Sequence, residues 1–131
     1  MKLFDKTLSQ LENALDVRMV RHEVLSGNLA NADTPGYVAR DVDFAAAMAA
    51  AEAKEAPRGG AGHIPLAAGA PTIEVATVDA SGAPAGMDGN AVDADRALVA
   101  LAENGLQYGA AAKTAARKLA ILRYVASDGG A

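Results

Sequence analysis

Few residues in this chain are of a type and spacing that could do chemistry. Asp33, Asp41 and Asp43 lie close together, and paired carboxylates can divide general acid and base roles when their environments push their pKa values apart. Nothing in the sequence places them in a pocket, so they read as turn and interface residues. His22 and His63 are the only two histidines and there is no cysteine. A metal site therefore lacks ligands, and disulfides, thiolate sites and cysteine nucleophiles are excluded. No Gly-rich phosphate loop precedes a Lys-Ser or Lys-Thr pair, and no Gly-x-Ser-x-Gly elbow occurs. The sequence predicts no catalytic, cofactor-binding or metal-ligating residue, and no enzyme.

Composition narrows the function classes further. The 131 residues carry a net charge of −4, with neither a basic stripe nor a basic tail, which argues against nucleic acid as a partner. The chain is 51% apolar, but much of that is alanine, with two Phe, three Tyr and no Trp. Alanine buries little surface, so the hydrophobic drive per residue is modest and the chain is expected to lean on partners for stability. Asp5 and Lys6 interrupt the apolar region that a cleaved signal peptide would need. The alanine-rich stretch after Phe44 is broken by Glu52, Lys54 and Glu55, so no membrane-spanning run is expected.

The elements that position the remaining residues fall into three zones, 1–31, 32–92 and 93–131. In the first, Phe4, Leu8, Leu11, Leu15, Leu25 and Leu29 recur at helical spacing. His22 lies within that stripe and reads as a packed or interfacial histidine; Arg18, beside it, reads as a solvated side chain. Val17, Val20 and Val24 fall away from the leucines and form a second, narrower stripe, and a helix with two stripes needs two neighbours. In the last zone Ala94, Leu98, Leu101, Gly105, Tyr108, Ala112, Ala115, Leu119, Leu122 and Ala126 follow an alternating four-three spacing, an a/d seam over several heptads. Asn90 is the expected N-cap, Asp93 and Asp95 suit the first turn, and Lys113, Arg117, Lys118 and Arg123 complement the dipole at the other end. One helix from Asp93 to Ala126 would be about 50 Å long, too long for a compact domain of this size. Gly105 and Gly109 each cost such a helix about 1 kcal/mol against Ala; close backbone packing in a tube wall would offset that, and glycine simply tolerated in a long helix is the plain alternative.

Between these ends the character changes. Four of the five prolines and seven of the thirteen glycines fall between Pro57 and Gly89, where helix cannot persist. Phe44 to Ala56 suits a short helix and Ile73 to Val78 a single strand. The expected fold is all-α: two long terminal helices forming an antiparallel coiled-coil pair, joined by an irregular Pro/Gly-rich middle. The seams are the expected assembly interface, carried by Leu8, Leu11, Leu15, Leu25, Leu29, Leu98, Leu101, Tyr108, Leu119 and Leu122.

After the first helix the chain reads Leu25-Ser26-Gly27-Asn28-Leu29-Ala30-Asn31-Ala32-Asp33-Thr34-Pro35-Gly36-Tyr37. This is a helix stop and a turn. Asn31 can take the left-handed conformation that closes helices, and in Thr34-Pro35-Gly36-Tyr37 Pro fixes φ while Gly supplies positive φ. Asn28 to Ala32 followed by Thr34 to Tyr37 resembles the N-terminal signature of the flagellar axial proteins, the rod and hook family. The motif residues carried over are Asn28, Asn31, Thr34, Pro35, Gly36 and Tyr37. The continuation Val38-Ala39-Arg40-Asp41-Val42-Asp43-Phe44 looks like the proximal-rod member, and Asp88 to Asp93 through Leu106-Gln107-Tyr108 is similar to that member's C-terminal approach. Gly62-His63-Ile64 is a weaker echo.

The resemblance implies a structural subunit of the proximal rod of the bacterial flagellar basal body, part of a hollow drive shaft. Its terminal helices would form a coiled-coil layer around the export channel. It further implies type III export to a periplasmic rod without a cleaved signal peptide. Phe4 and Leu8, with three residues between them, are similar to the element such substrates present to the export gate, and suit plain helix core equally. The implied partners are copies of itself, other rod subunits, the rod-base adaptor, the membrane ring protein of the basal body and the export gate; no cofactor is implied. The alternatives are another rod subunit or a soluble helical adaptor of the export system.

Overall fold

Backbone hydrogen bonding must be satisfied at every helix end, and the caps explain where the elements stop. The computed structural model describes residues 6–54, 77–79, 87 and 89–127. Helix α1 spans Lys6–Ala30. It closes where the Asn31 N–H meets the carbonyls of Gly27 and Asn28, both at 3.1 Å, while the Asn31 Nδ2 donates to the Gly27 carbonyl at 2.8 Å. Helix α2, Phe44–Lys54, begins where the Asp43 carboxylate accepts from the Ala46 N–H at 3.0 Å, and alanine carries it onward with little entropy cost.

Helix α3, Ala94–Ala126, is capped by Asp93, whose side chain accepts from the N–H groups of Asp95 and Arg96. The expected cap, Asn90, is spent elsewhere, as described below. Asp95 in the first turn and Arg123 in the last complement the dipole. At 33 residues the helix is about 50 Å long, as the heptad pattern predicts. No helix among the described residues is long and apolar enough to cross a membrane.

The fold is mostly helical, with one small antiparallel sheet. Strand β1, Arg40–Val42, pairs with β2, Thr77–Asp79, in the register Arg40 to Asp79, Asp41 to Val78 and Val42 to Thr77. The expected strand Ile73 to Val78 overlaps β2 only at Thr77 and Val78; its first four residues lie outside the described ones, as do Phe4, His63 and, β2 apart, the Pro57 to Pro84 run.

Helix α1 packs against α3 and against β1 with α2, so it has the neighbours that two stripes call for. The narrow valine stripe makes the tighter contact. Val17 is wholly buried and clusters with Val42 and Ala47, flanked by Val20, Val24, Phe44 and Met48. Burial on α1 is centred between the two stripes, so Leu15 and Leu29 are half-buried and His22 is exposed. Of the packed or interfacial reading of His22, that removes packing within the chain and leaves the interface. Arg18 is also not simply solvated: its guanidinium lies 4.5 Å from the centre of the Phe44 ring and donates to Gln107 Oε1 on α3.

On α3 the face turned inward is not quite the one the leucines mark. Ala97 and Asn104 are buried, with Leu101, Tyr108, Ala111, Ala115 and Leu122 half-buried. Leu98 and Leu119 are 50% and 48% exposed. Nor do Gly105 and Gly109 mark close packing within the chain, because a Cβ at either would meet nothing within 4 Å.

Candidate assembly interface

The motif residues converge at the junction of α1, β1 and the start of α3. The Asn28 side chain, 4% exposed, reads the main chain of Arg40 as a strand would. Its Nδ2 donates to the Arg40 carbonyl at 2.6 Å, and its Oδ1 accepts the Arg40 N–H at 3.0 Å and the Tyr37 hydroxyl at 3.4 Å. A short polar side chain at the last turn of α1 is the requirement for this. Thr34 folds back on Asn31, with its N–H on the Asn31 carbonyl at 3.0 Å and its hydroxyl on Asn31 Oδ1 at 3.2 Å.

Thr34 to Tyr37 forms the expected β-turn. The Tyr37 N–H donates to the Thr34 carbonyl at 3.2 Å, and Gly36 has φ +72°, the type II pattern with Pro at the second corner position and Gly at the third.

A second segment locks onto this turn. Gly89 has φ +75° and lies against Gly36, so near that a Cβ on it would sit 3.7 Å from the Gly36 Cα. Asn90 is buried. Its Nδ2 donates to the carbonyls of Asn31 and Ala32, its Oδ1 accepts the Val92 N–H at 2.8 Å, and the next N–H, from Ala91, donates to the Tyr37 carbonyl at 3.2 Å. The N-terminal and C-terminal motifs are thus two halves of one clasp.

Charge is anchored beside it. Arg21 and Asp41 form a two-pronged pair, Nε to Oδ1 and Nη2 to Oδ2, both at 2.7 Å. Hydrogen bonding to Asp41 raises the Arg21 pKa against the opposing effect of burial. Burial pushes the Asp41 carboxyl up, but the Arg21 hydrogen bonds, the Val42 N–H and the Arg21 charge together hold it below its ordinary value. Burial, and then the nearby Arg21 charge, lower the Arg18 pKa. No group of carboxylates or histidines among the described residues could hold a metal. Asp33, Asp41 and Asp43 serve separately, in a turn, an ion pair and a helix cap.

The seam residues divide by exposure. Leu25 is buried within the chain; Leu8, Leu11, Leu15, Leu29, Leu101, Tyr108 and Leu122 are half-buried; Leu98 and Leu119 are exposed. Val99, Leu106, Ile121, Tyr124 and Val125, between 60% and 77% exposed, extend the apolar surface of α3 beyond the leucines the spacing singled out. The Arg18–Phe44 contact and the burial of Asn104 were also missed. Asn104 had a signal: Ala97, Leu101, Asn104, Tyr108, Ala111 and Ala115 keep the same four-three spacing with one polar member.

A family model described as "Flagella basal body rod protein" matches residues 6–37, which are α1 and the turn it feeds. The flagellar basal body rod protein FlgB of Escherichia coli K12 is 39% identical over 116 residues, covering 79% of this chain and 80% of that protein. The chain belongs to the FlgB family of flagellar basal body rod proteins. FlgB of Yersinia enterocolitica is 37% identical over 116 residues, covering 79% of this chain and 81% of that protein. FlgB of Salmonella typhimurium LT2 is 36% identical over 113, covering 79% and 80%. As a member of the FlgB family the chain is a structural subunit of the flagellar basal body rod, and the clasp and the exposed face of α3 are to be understood as parts of an assembling protein.

Proposed function

We propose that this chain is a subunit of the proximal rod, in which α1 and α3 pair antiparallel and lay the outer face of α3 against neighbouring subunits. One observation carries this reading. Helix α3 holds Leu98, Val99, Leu106, Leu119, Ile121, Tyr124 and Val125 at 48% to 77% exposure, a run of apolar side chains along a single rigid element that a solitary soluble chain has no reason to display.

The antiparallel sense is supported by two contacts: Asn90, before α3, meets Asn31 and Ala32 after α1, while Asn104 within α3 meets Arg18 within α1. The work of such a subunit is mechanical. Torque passes through interdigitated helices in a hollow shaft, and no chemical step is required.

The neighbours in this proposal are further copies, other rod subunits, the rod-base adaptor and the membrane ring protein. The chain reaches the periplasmic rod through the type III export gate, with Leu8 on the first turn of α1 as part of the signal. Purified basal bodies test this directly. The chain should be found in them, and cryo-electron microscopy should place α3 in the rod wall. A chain confined to the cytoplasm would instead be a soluble adaptor.

A further inference from the structure

Helix α3 carries two competing inward faces, and the structure buries the leaner one. Both follow a four-three spacing and share Leu101, Tyr108, Ala115 and Leu122. At the alternating positions the leaner face has Ala97, Asn104, Ala111 and Lys118, whereas the richer has Leu98, Gly105, Ala112 and Leu119. The two differ by about 50° of rotation, the mean of no shift and one residue at 3.6 per turn. Apolar burial favours the face with two additional leucines, yet Leu98 and Leu119 remain about half exposed while Ala97 and Asn104 are buried. Something other than hydrophobicity selects the rotation.

Asn104 is the polar residue with the means to do so. It is 1% exposed, and its Nδ2 donates at 2.9 Å to the Arg18 carbonyl of α1. Its Oδ1 is shielded from solvent without a donor among the described residues. Placing a half-satisfied carboxamide in an interface is unfavourable unless a different arrangement is worse. A lone asparagine at a seam position acts in this way in coiled coils, fixing register and orientation at a cost in stability. Turning the richer face inward removes Asn104 from the Arg18 carbonyl. It also takes Leu98 and Leu119 away from the outer surface.

We infer that Asn104 is a face-selecting residue: its bond to the Arg18 carbonyl holds α3 with the leaner stripe against α1 and keeps Leu98 and Leu119 outward for neighbouring subunits. The second half of this statement rests on the rod reading; the first does not.

The absence of cysteine from the chain allows a clean test. Full-length protein carrying either Ala97→Cys or Leu98→Cys is folded in trimethylamine N-oxide, and the rate of maleimide labelling is measured with Asn104, Asn104→Leu or Asn104→Ala. With Asn104 present, the thiol introduced by Leu98→Cys reacts several-fold faster than the one introduced by Ala97→Cys. Asn104→Ala should invert that order at undiminished helix content, and Asn104→Leu, which gives the leaner face a leucine of its own, should narrow or invert it. Unchanged rates overturn the inference, and so does a rise at both sites in both variants, which would make Asn104 necessary for pairing as such. In cells, Asn104→Ala alone should be exported but swim poorly. Normal swimming despite an inverted labelling order would leave face selection standing and remove its link to assembly.

Discussion

A side chain at position 36 would have to hold φ near +72°, where a Cβ crowds the following carbonyl. Since a Cβ there meets no other atom within 4 Å, the cost is one of backbone conformation alone. Gly36→Val should destabilise the turn by about 1–3 kcal/mol, and Gly36→Asn by less, because Asn tolerates the left-handed region. Both variants should be exported, with Val giving short rods that shed subunits during basal-body purification and Asn giving intermediate yields; equal yields would reduce the turn to a family marker. This turn was legible because Pro-Gly chemistry is local. The Arg21–Asp41 pair was not, since its partners are 20 residues apart and meet only once the chain has folded back. Its folded carboxyl pKa is depressed, so the stabilisation is full above the ordinary carboxylate value and fades as pH falls through the lower folded one. Asp41→Asn should therefore cost about 1 kcal/mol at neutral pH, after screening of this part-exposed pair. That difference from wild type, measured by urea denaturation of protein held folded in sucrose, should hold from roughly pH 8 to 5 and shrink below about pH 4. A difference that grows toward acid would have the wrong sign.

Helix α3 shows what periodicity can and cannot reveal about an element. Its extent was legible to within a residue or two, because acidic and basic residues mark its ends and the four-three spacing never breaks. Its rotation was not, because two faces sharing half their positions satisfy the same spacing, and the choice depends on a hydrogen bond from Asn104 to another helix. The N-cap was misplaced for a related reason: Asn90 is a good capping residue by type, but the tertiary clasp claims its side chain. The exposures at Leu119 and Leu101 make an assembly experiment specific. Leu119→Asp places its charge on an exposed position, so helix content by circular dichroism should match wild type and secretion should continue, while rods fail to form as the charge is desolvated against a neighbour. Leu101→Asp lies at a half-buried position and should lose helix content as well. Normal swimming by the Leu119→Asp strain would show that this part of α3 is not an interface.

At the scale of the molecule, the described residues have little to hold them together. Among the described residues the buried apolar side chains are Val17, Leu25 and Val42 plus four alanines, and burying one large aliphatic contributes only about 1.5–3 kcal/mol. Dilute monomer should thus show weak helicity and a broad, low melt, with helicity rising in osmolyte or on assembly. A sharp, concentration-independent melt at high temperature would mean that one chain suffices. The paucity of large side chains made this expectation readable from composition. The pairing of β1 with β2 was hidden, because strands of three residues leave no periodicity to detect. The clasp has a different consequence for the chain as a piece of engineering. Because the Ala91 N–H meets the Tyr37 carbonyl at 3.2 Å, residues 38 to 90 depart from and return to a single point beside the helices. The clasp and not the length of chain between its halves fixes that point, and loop closure in general adds only about 0.6 kcal/mol per doubling of length. An epitope tag spliced after Gly60 should accordingly leave helix content unaltered and still enter the rod, as read by immunoblot of purified basal bodies. The same tag spliced between Gly89 and Asn90 should prise the two ends apart and exclude the chain.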